Sequence, residues 1–252
     1  MEKKSIQKLK EEEQTGLLTL ANLHELYGDE RKGVQQIVKR IRTKEEKKLK
    51  LKDKWDRMNG LEEDAKDRGH AYVAGIDEAG RGPIAGPVMA GAVRLPESFV
   101  LYGLDDSKKL SERDKDHFYN EIMARADVGV GAASAEEIDE WNIYRATKLA
   151  MKRAVLNMRE TPDHLLVDAM EVPVPIKQES FVKGDERSVS IAAASVIAKV
   201  TRDRFMKEVD KKYPGYNFLK NKGYGTKEHM EAIKEKGITP YHRKSFVPDG
   251  IK

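Results

Sequence analysis

Residues 75–87 read Gly-Ile-Asp-Glu-Ala-Gly-Arg-Gly-Pro-Ile-Ala-Gly-Pro, so Asp77 and Glu78 stand at the end of an apolar run, just before a glycine-rich turn. Hard carboxylate oxygens suit Mg²⁺ or Mn²⁺, and the glycines let backbone amides approach a bound group where a Cβ would obstruct it. An acidic pair beside a turn is also compatible with ordinary solvated surface. Two further carboxylates sharpen the pattern: Asp168 follows the apolar run 165–167, and Asp185 lies near the end of the run 180–182. Functional groups of open α/β sheets gather at strand ends, and four carboxylates there are the ligand supply of a two-metal phosphoryl site. Each of the later two has a rival role. Asp168 suits the opening of a turn toward Pro173, and Asp185 suits the N-cap of the helix carrying Ser190, Ile191, Val196 and Ile197.

The elements that must position these groups follow from periodicity and punctuation. Residues 72–76 and 88–93 read as strands joined by the glycine turn, and 128–133 as another. Ser111 with Asp114 and Ser134 with Glu137 open helices, the first running to about Ala126. Ile143, Ala146, Ala150 and Ala154 form a helical stripe toward Met158. Upstream, Val34, Ile37, Val38 and Ile41 recur at helical spacing, and Thr43 with Glu46 forms a further capping pattern ahead of Leu49, Leu51, Trp55 and Met58. The change of pattern near Gly69 divides the chain into a charged helical N-terminal extension, 1–69, and an α/β domain with a helical C-terminal part, 70–252.

The chain has 252 residues and no cysteine, which excludes disulfides, thiolate catalysis and cysteine-ligated zinc. The start lacks the apolar stretch of a signal peptide and no run is long enough to span a bilayer, so a soluble, cytoplasmic protein is expected. Residues 31–54 hold eleven basic and three acidic residues, a local +8. That block reads equally as the footprint of a polyanion or as a solvated helix face. His117, His164 and His229 show no ligand spacing and read as surface or satisfied core positions. Ala192-Ala193-Ala194 suits close helix packing, with Ser190 and Lys199 able to reach a phosphate if that helix lies near the site.

Several ordered motifs together resemble bacterial ribonuclease HII, of the ribonuclease H superfamily. Residues 77–82 match its Asp-Glu-x-Gly-Arg-Gly signature. Residues 105–110 match its Asp-Ser-Lys-Lys-Leu segment, Val167-Asp168 and Lys183-Gly184-Asp185 the places of its third and fourth carboxylates, 190–200 its small-residue helix, and 221–226 its late tyrosine motif. The match spans about residues 71–235. Ala169 departs from it, standing where many relatives have glycine. The sister family, ribonuclease HIII, lacks an arginine in the glycine turn and carries a sheet-containing N-terminal domain, so Arg81 and the helical extension favour HII.

The resemblance implies a ribonuclease H-like fold, a central five-stranded mixed sheet flanked by helices. It implies a metal-dependent endonuclease that hydrolyses the RNA strand of RNA/DNA hybrids and cuts 5′ of ribonucleotides embedded in duplex DNA, leaving 5′-phosphate and 3′-hydroxyl ends. Asp77, Glu78, Asp168 and Asp185 would hold two divalent ions, Mn²⁺ or Mg²⁺. Gly80, Arg81, Gly82 and Tyr224 would read the 2′-hydroxyl, and Ser107, Lys108 and Lys109 would contact phosphates. The expected partner is nucleic acid, with no membrane, and the protein a monomer. A structure-selective DNA endonuclease of the same superfamily would use a similar cluster without a 2′-hydroxyl reader.

Overall fold

The computed structural model describes residues 3–251, and the chain divides into two compact units with the boundary between Asp56 and Arg57. No helix among them is long and apolar enough to cross a membrane. In the first unit, Ser5 caps α1 (Ile6–Gln14) through its side chain, a 3-10 turn follows at Leu20–Leu26, and α2 runs over Lys32–Met58. The helical stripe predicted at 34–41 is the one that α2 buries: Val34, Ile37 and Ile41 pack with Leu9, Leu18 and Leu23. Thr43 does not start a new helix, because α2 passes through it unbroken. A Thr-x-x-Glu pattern signals a helix start only where the preceding chain is non-helical; here the amides around Thr43 already have partners one turn back.

The second unit begins with α3 (Gly60–Asp67) and is built on a five-stranded sheet. Its strands are β1 (Val73–Ala79), β2 (Val88–Arg94), β3 (Asp127–Ala133), β4 (His164–Asp168) and β5 (Lys177–Phe181), in the order β3-β2-β1-β4-β5. β1 is antiparallel to β2 and parallel to β4, so the sheet is mixed and β1 is central. The helices α4 (Glu112–Arg125) and α5 (Ala135–Leu156) start at Ser111 and Ser134, each side chain accepting from the amide three residues on. α5 kinks at Asn142, whose φ is 67°. The apolar face of α5 meets β1, β2 and β4 in one core that includes Ile76, Val88, Ala150, Ala154 and Val167.

The other face of the sheet carries α6 (Val189–Lys212). A Cβ at Gly75 would collide with the Ser190 backbone, and one at Gly91 would lie 2.6 Å from the Ala194 carbonyl oxygen. These two glycines and the buried alanines 192–194 thus let a helix backbone approach a sheet backbone with no side chain between them. Short α7 (Phe218–Asn221) and α8 (Lys227–Lys236) close the C-terminal side around a cluster that includes Met206, Phe218 and Ile233.

Ala169, directly after β4, adopts φ 46°, a left-handed conformation that opposes a Cβ. Ala169→Gly is therefore expected to stabilise the protein by up to about 1 kcal/mol, the relieved strain exceeding glycine's entropy cost. Urea unfolding measures it; a lower midpoint for the variant would show that the alanine is not strained.

Candidate active site

Asp77 and Glu78 lie inside β1 rather than beyond its end, paired across the antiparallel ladder with Gly91 and Ala90. Adjacent strand residues face opposite sides, so Asp77 shares the α6 face with Gly75. Asp168 is the last residue of β4, where the left-handed turn at Ala169 redirects the chain. Its Oδ1 accepts the Gly184 amide at 2.7 Å, which ties the strand end to the 3-10 turn Gly184–Glu186 that carries Asp185. Asp185 does not cap α6. Ser188 does, accepting from the Ile191 amide, and this frees the Asp185 carboxylate to lie beside Asp106.

The cluster concentrates negative charge where water is scarce. Asp77 is 4% exposed, and burial, followed by the charges of Glu78 and Asp168, raises its pKa well above the usual carboxylate range. Hydrogen bonds from Ser195 and from the Glu78 amide oppose that shift only in part. Burial also raises Glu78, against the Arg81 guanidinium 3.2 Å away, and Glu78 Oε2 is buried with no partner. Asp185 is pushed up to about 6 by burial and by Asp106 and Asp168. Among the described residues, no three Asp, Glu or His side chains stand grouped so as to hold an ion. The donor set nevertheless fits a hard divalent cation. It offers buried oxygens, excess negative charge and an orphaned Oε2, in the open arrangement of a metal that keeps water or substrate oxygens in its shell.

The glycine turn is held by residues the sequence reading did not single out. Arg243 and Arg202 are almost fully buried. Arg243 donates to the carbonyls of Gly80, Arg81 and Gly86 at 2.6, 2.9 and 2.9 Å, and Arg202 to those of Ala85, Pro87 and Lys222 at 3.0, 3.0 and 2.9 Å. Burial lowers both guanidinium pKa values, that of Arg243 to about 9, which leaves Arg243 charged at neutral pH. With its carbonyls engaged from within, the turn leaves the N–H groups of Arg81 and Gly82 without an acceptor among the described residues.

Tyr224 joins this surface. The Ile84 and Ala85 amides donate to the Gly223 carbonyl, and a Cβ on Gly82 would stand 3.7 Å from the Tyr224 ring. The ring is half-exposed, which separates it from a core tyrosine. A chain of neutral histidines holds its backbone. The Thr239 amide donates to His242 Nδ1 at 2.8 Å, leaving Nε2–H to donate to His229 Nε2 at 3.0 Å, while His229 Nδ1–H donates to the Tyr224 carbonyl at 2.8 Å. One tautomer of each ring satisfies all three bonds.

The remaining sequence-selected residues divide. Lys108 is exposed beside the cluster; burial would lower its pKa, but the summed field of Asp106, Asp185, Asp77 and Asp168 raises it. Lys109 is exposed and pairs with Glu186 at 3.0 Å, and Lys199 pairs with Asp203 at 2.8 Å. Ser107 is buried, its hydroxyl 3.0 Å from Ser195, so it supports the Asp77 network rather than facing solvent. Ser190 is likewise buried, with its hydroxyl on Glu62 at 2.6 Å, and we leave it out of the binding set. His117 is exposed and His229 is satisfied in the core. His164 is buried, with its Nε2 3.1 Å from a Glu179 carboxylate oxygen.

Comparison with known proteins places these features in a family context. The family model described as ribonuclease HII matches residues 74–248, and the ribonuclease HII N-terminal domain model matches residues 3–66. A ribonuclease HII of Bacillus cereus (strain Q1) is 54% identical over 224 residues, covering 88% of this chain and 87% of its own length. The crystal structure of the ribonuclease H2 from Pyrococcus horikoshii OT3 is similar with a TM-score of 0.59 at 26% identity, over 69% of this chain and 92% of that one. Bst-RNase HIII in complex with Mn²⁺ shares the fold, with a TM-score of 0.60 at 18% identity over 73% and 69% of the two chains.

Two measurements test this geometry. Because the folded Asp185 pKa of about 6 exceeds its ordinary 3.8, the folded state holds the proton longer, and stability falls as pH rises through that window. In chelator, Asp185→Asn is therefore expected to melt increasingly above the parent as pH goes from 4 to 7; a constant difference would contradict the shift. Nitrogen-15 imidazole spectra should show His229 protonated at Nδ1 and His242 at Nε2, with His242 neutral down to pH 5. His242, lowered by burial to about 4, must not titrate near 6.5.

Proposed function

The chain belongs to the ribonuclease HII family and is a ribonuclease H endonuclease, and on that premise we propose that it cuts on the 5′ side of a ribonucleotide embedded in duplex DNA, as well as hydrolysing the RNA strand of hybrids. One observation supports the reading: a buried, over-charged carboxylate cluster lies on the strand that leads into a glycine turn with N–H groups unpaired among the described residues, and a Cβ on Gly82 of that turn would stand 3.7 Å from the half-exposed Tyr224 ring. Ribonucleases of this family are metal-dependent. Two divalent ions, Mg²⁺ or Mn²⁺, held by Asp77, Glu78, Asp168 and Asp185, would supply an activated water and stabilise the leaving 3′-oxygen, giving 5′-phosphate and 3′-hydroxyl ends.

The chain's own groups supply selection and orientation. RNA differs locally from DNA by a 2′-hydroxyl that both donates and accepts hydrogen bonds. The Arg81 and Gly82 amides are donors fixed from behind by Arg243, and the Tyr224 ring offers a face to the neighbouring sugar and a hydroxyl at its edge. Ser195 and the Glu78 amide orient the Asp77 carboxylate. Lys108 keeps its proton in the carboxylate field and is the cation placed to meet a phosphate; Lys109 and Lys199 must first exchange Glu186 and Asp203 for it. We take residues 70–252 as the catalytic domain and 1–69 as its extension, a division supported by the two family matches. Removal of ribonucleotides from DNA is the cellular task this selectivity suits.

Cleavage mapping on a DNA duplex with one ribonucleotide tests the assignment. Cutting is expected 5′ of that residue, only with added Mg²⁺ or Mn²⁺, and lost when the 2′-hydroxyl becomes hydrogen or fluorine. Asp77→Asn and Asp168→Asn should each lower kcat by more than about a hundredfold with substrate binding largely kept, while Tyr224→Phe costs less than Tyr224→Ala. Equal cutting of the all-deoxy duplex would overturn the reading and favour a DNA endonuclease.

A further inference from the structure

The first unit carries a groove of about 460 Å³ between the segment at Leu26 and Tyr27 and one stripe of α2. Gln35, Lys39 and Arg42 line it at helical spacing, with Thr43 beside them. The Arg42 guanidinium lies 4.5 Å from the centroid of the Tyr27 ring, which is 53% exposed, so an aromatic face and a cation are held together at the rim. Arg31 and Arg40 are neutralised by Asp29 and Glu13. Lys39, Lys44, Lys47, Lys48, Lys50 and Lys52 are exposed, and none forms an ion pair among the described residues.

We propose that this groove and the lysine-bearing length of α2 hold the phosphodiester backbone of duplex nucleic acid, as a second contact beyond the cleavage site. The charge argues for a polyanion: the segment's +8 already counts its three carboxylates, and setting aside the paired Arg31 and Arg40 leaves +6. The groove's chemistry argues for a nucleic-acid backbone rather than an acidic peptide. Its polar lining is mostly donors, an amide, a hydroxyl, an ammonium and a guanidinium around one aromatic face, with Glu46 the one carboxylate on it. From Lys39 to Lys52 the helix rises about 20 Å, and duplex DNA carries one charge per about 1.7 Å, so several phosphates fall within its reach. Such contacts set affinity and salt dependence but carry no sequence or sugar information. The inference rests on the family's action on nucleic acid, though not on where the cut falls.

The test uses the full chain and an all-deoxy duplex, which the catalytic reading says is bound but not cut. In Lys39→Gln/Arg42→Gln, the slope of log K against log salt is expected to flatten by about 1 to 2, and KM on the one-ribonucleotide duplex to rise several-fold with kcat unchanged. Tyr27→Ala, which removes no charge, should weaken binding without changing the slope. Circular dichroism melts confirm that each variant folds. An unchanged slope in a folded double variant, with cleavage intact, overturns the groove and leaves the function standing. Displacement of the duplex by polyglutamate at equal charge concentration also overturns it, in favour of an acidic protein partner. A flattened slope in a protein that fails to cut at the ribonucleotide keeps the groove and removes the cleavage reading.

Discussion

The structure is organised around the cost of burying Asp77 beside Glu78 and Asp168. Like charges in a dry pocket resist ionisation, and here desolvation and mutual repulsion act in the same direction. A protein evolved only for stability would replace one of these side chains with an apolar group. Keeping them requires a scaffold stiff enough that the carboxylates cannot turn away into solvent. The central strand supplies it, flanked on both sides by hydrogen-bonded strands, with α6 pressed against it at Gly75 and against neighbouring β2 at Gly91 with no side chains intervening. The same contact brings Ser195 of α6 to Asp77, so the packing that fixes the backbone also fixes the carboxylate.

A second constraint concerns the glycine turn. A flexible loop would lose entropy on every binding event, and its amides would average over directions. Six carbonyls drawn onto two buried guanidiniums remove that freedom while leaving the outward N–H groups available. Arginine suits this role because its five donors are coplanar and fixed, and because burial leaves it charged. The turn and the Tyr224 loop share Arg202, which bonds to Ala85, Pro87 and Lys222, so the two parts of the recognition surface are set by one side chain.

The sheet, most helix starts and the four carboxylates were legible in the sequence because their signals are local. Ser111 and Ser134 cap helices as their patterns predict, since apolar strands and turns precede them. Thr43 misleads because the same letters sit inside a helix already under way. The capping role that rivalled a ligand role for Asp185 is performed by Ser188, three residues on. Ser107 and Ser190 illustrate another limit: their types suit phosphate contact, but burial is decided by tertiary packing, and both hydroxyls turn inward. Arg202, Arg243 and His242 carried no readable signal, since an isolated arginine or histidine far along the chain looks like surface until the fold closes over it; His229 is the satisfied core position that was one of its two readings.

The two classes of cation in this protein divide the work by burial. Arg202 and Arg243 are enclosed, and their charge is met by carbonyl dipoles, so they shape the site without attracting substrate over distance. The lysines of α2 and Lys108 are exposed, where a hydrated ammonium on a flexible stem loses little in desolvation and can follow a moving phosphate. A nuclease that binds a long polyanion and yet cuts at one kind of sugar needs both: weak, salt-sensitive attraction spread over exposed lysines, and a rigid reader whose geometry does not depend on ionic strength. Strengthening the first at the expense of the second would tighten binding everywhere and discriminate nowhere, because backbone phosphates are the same on both strands.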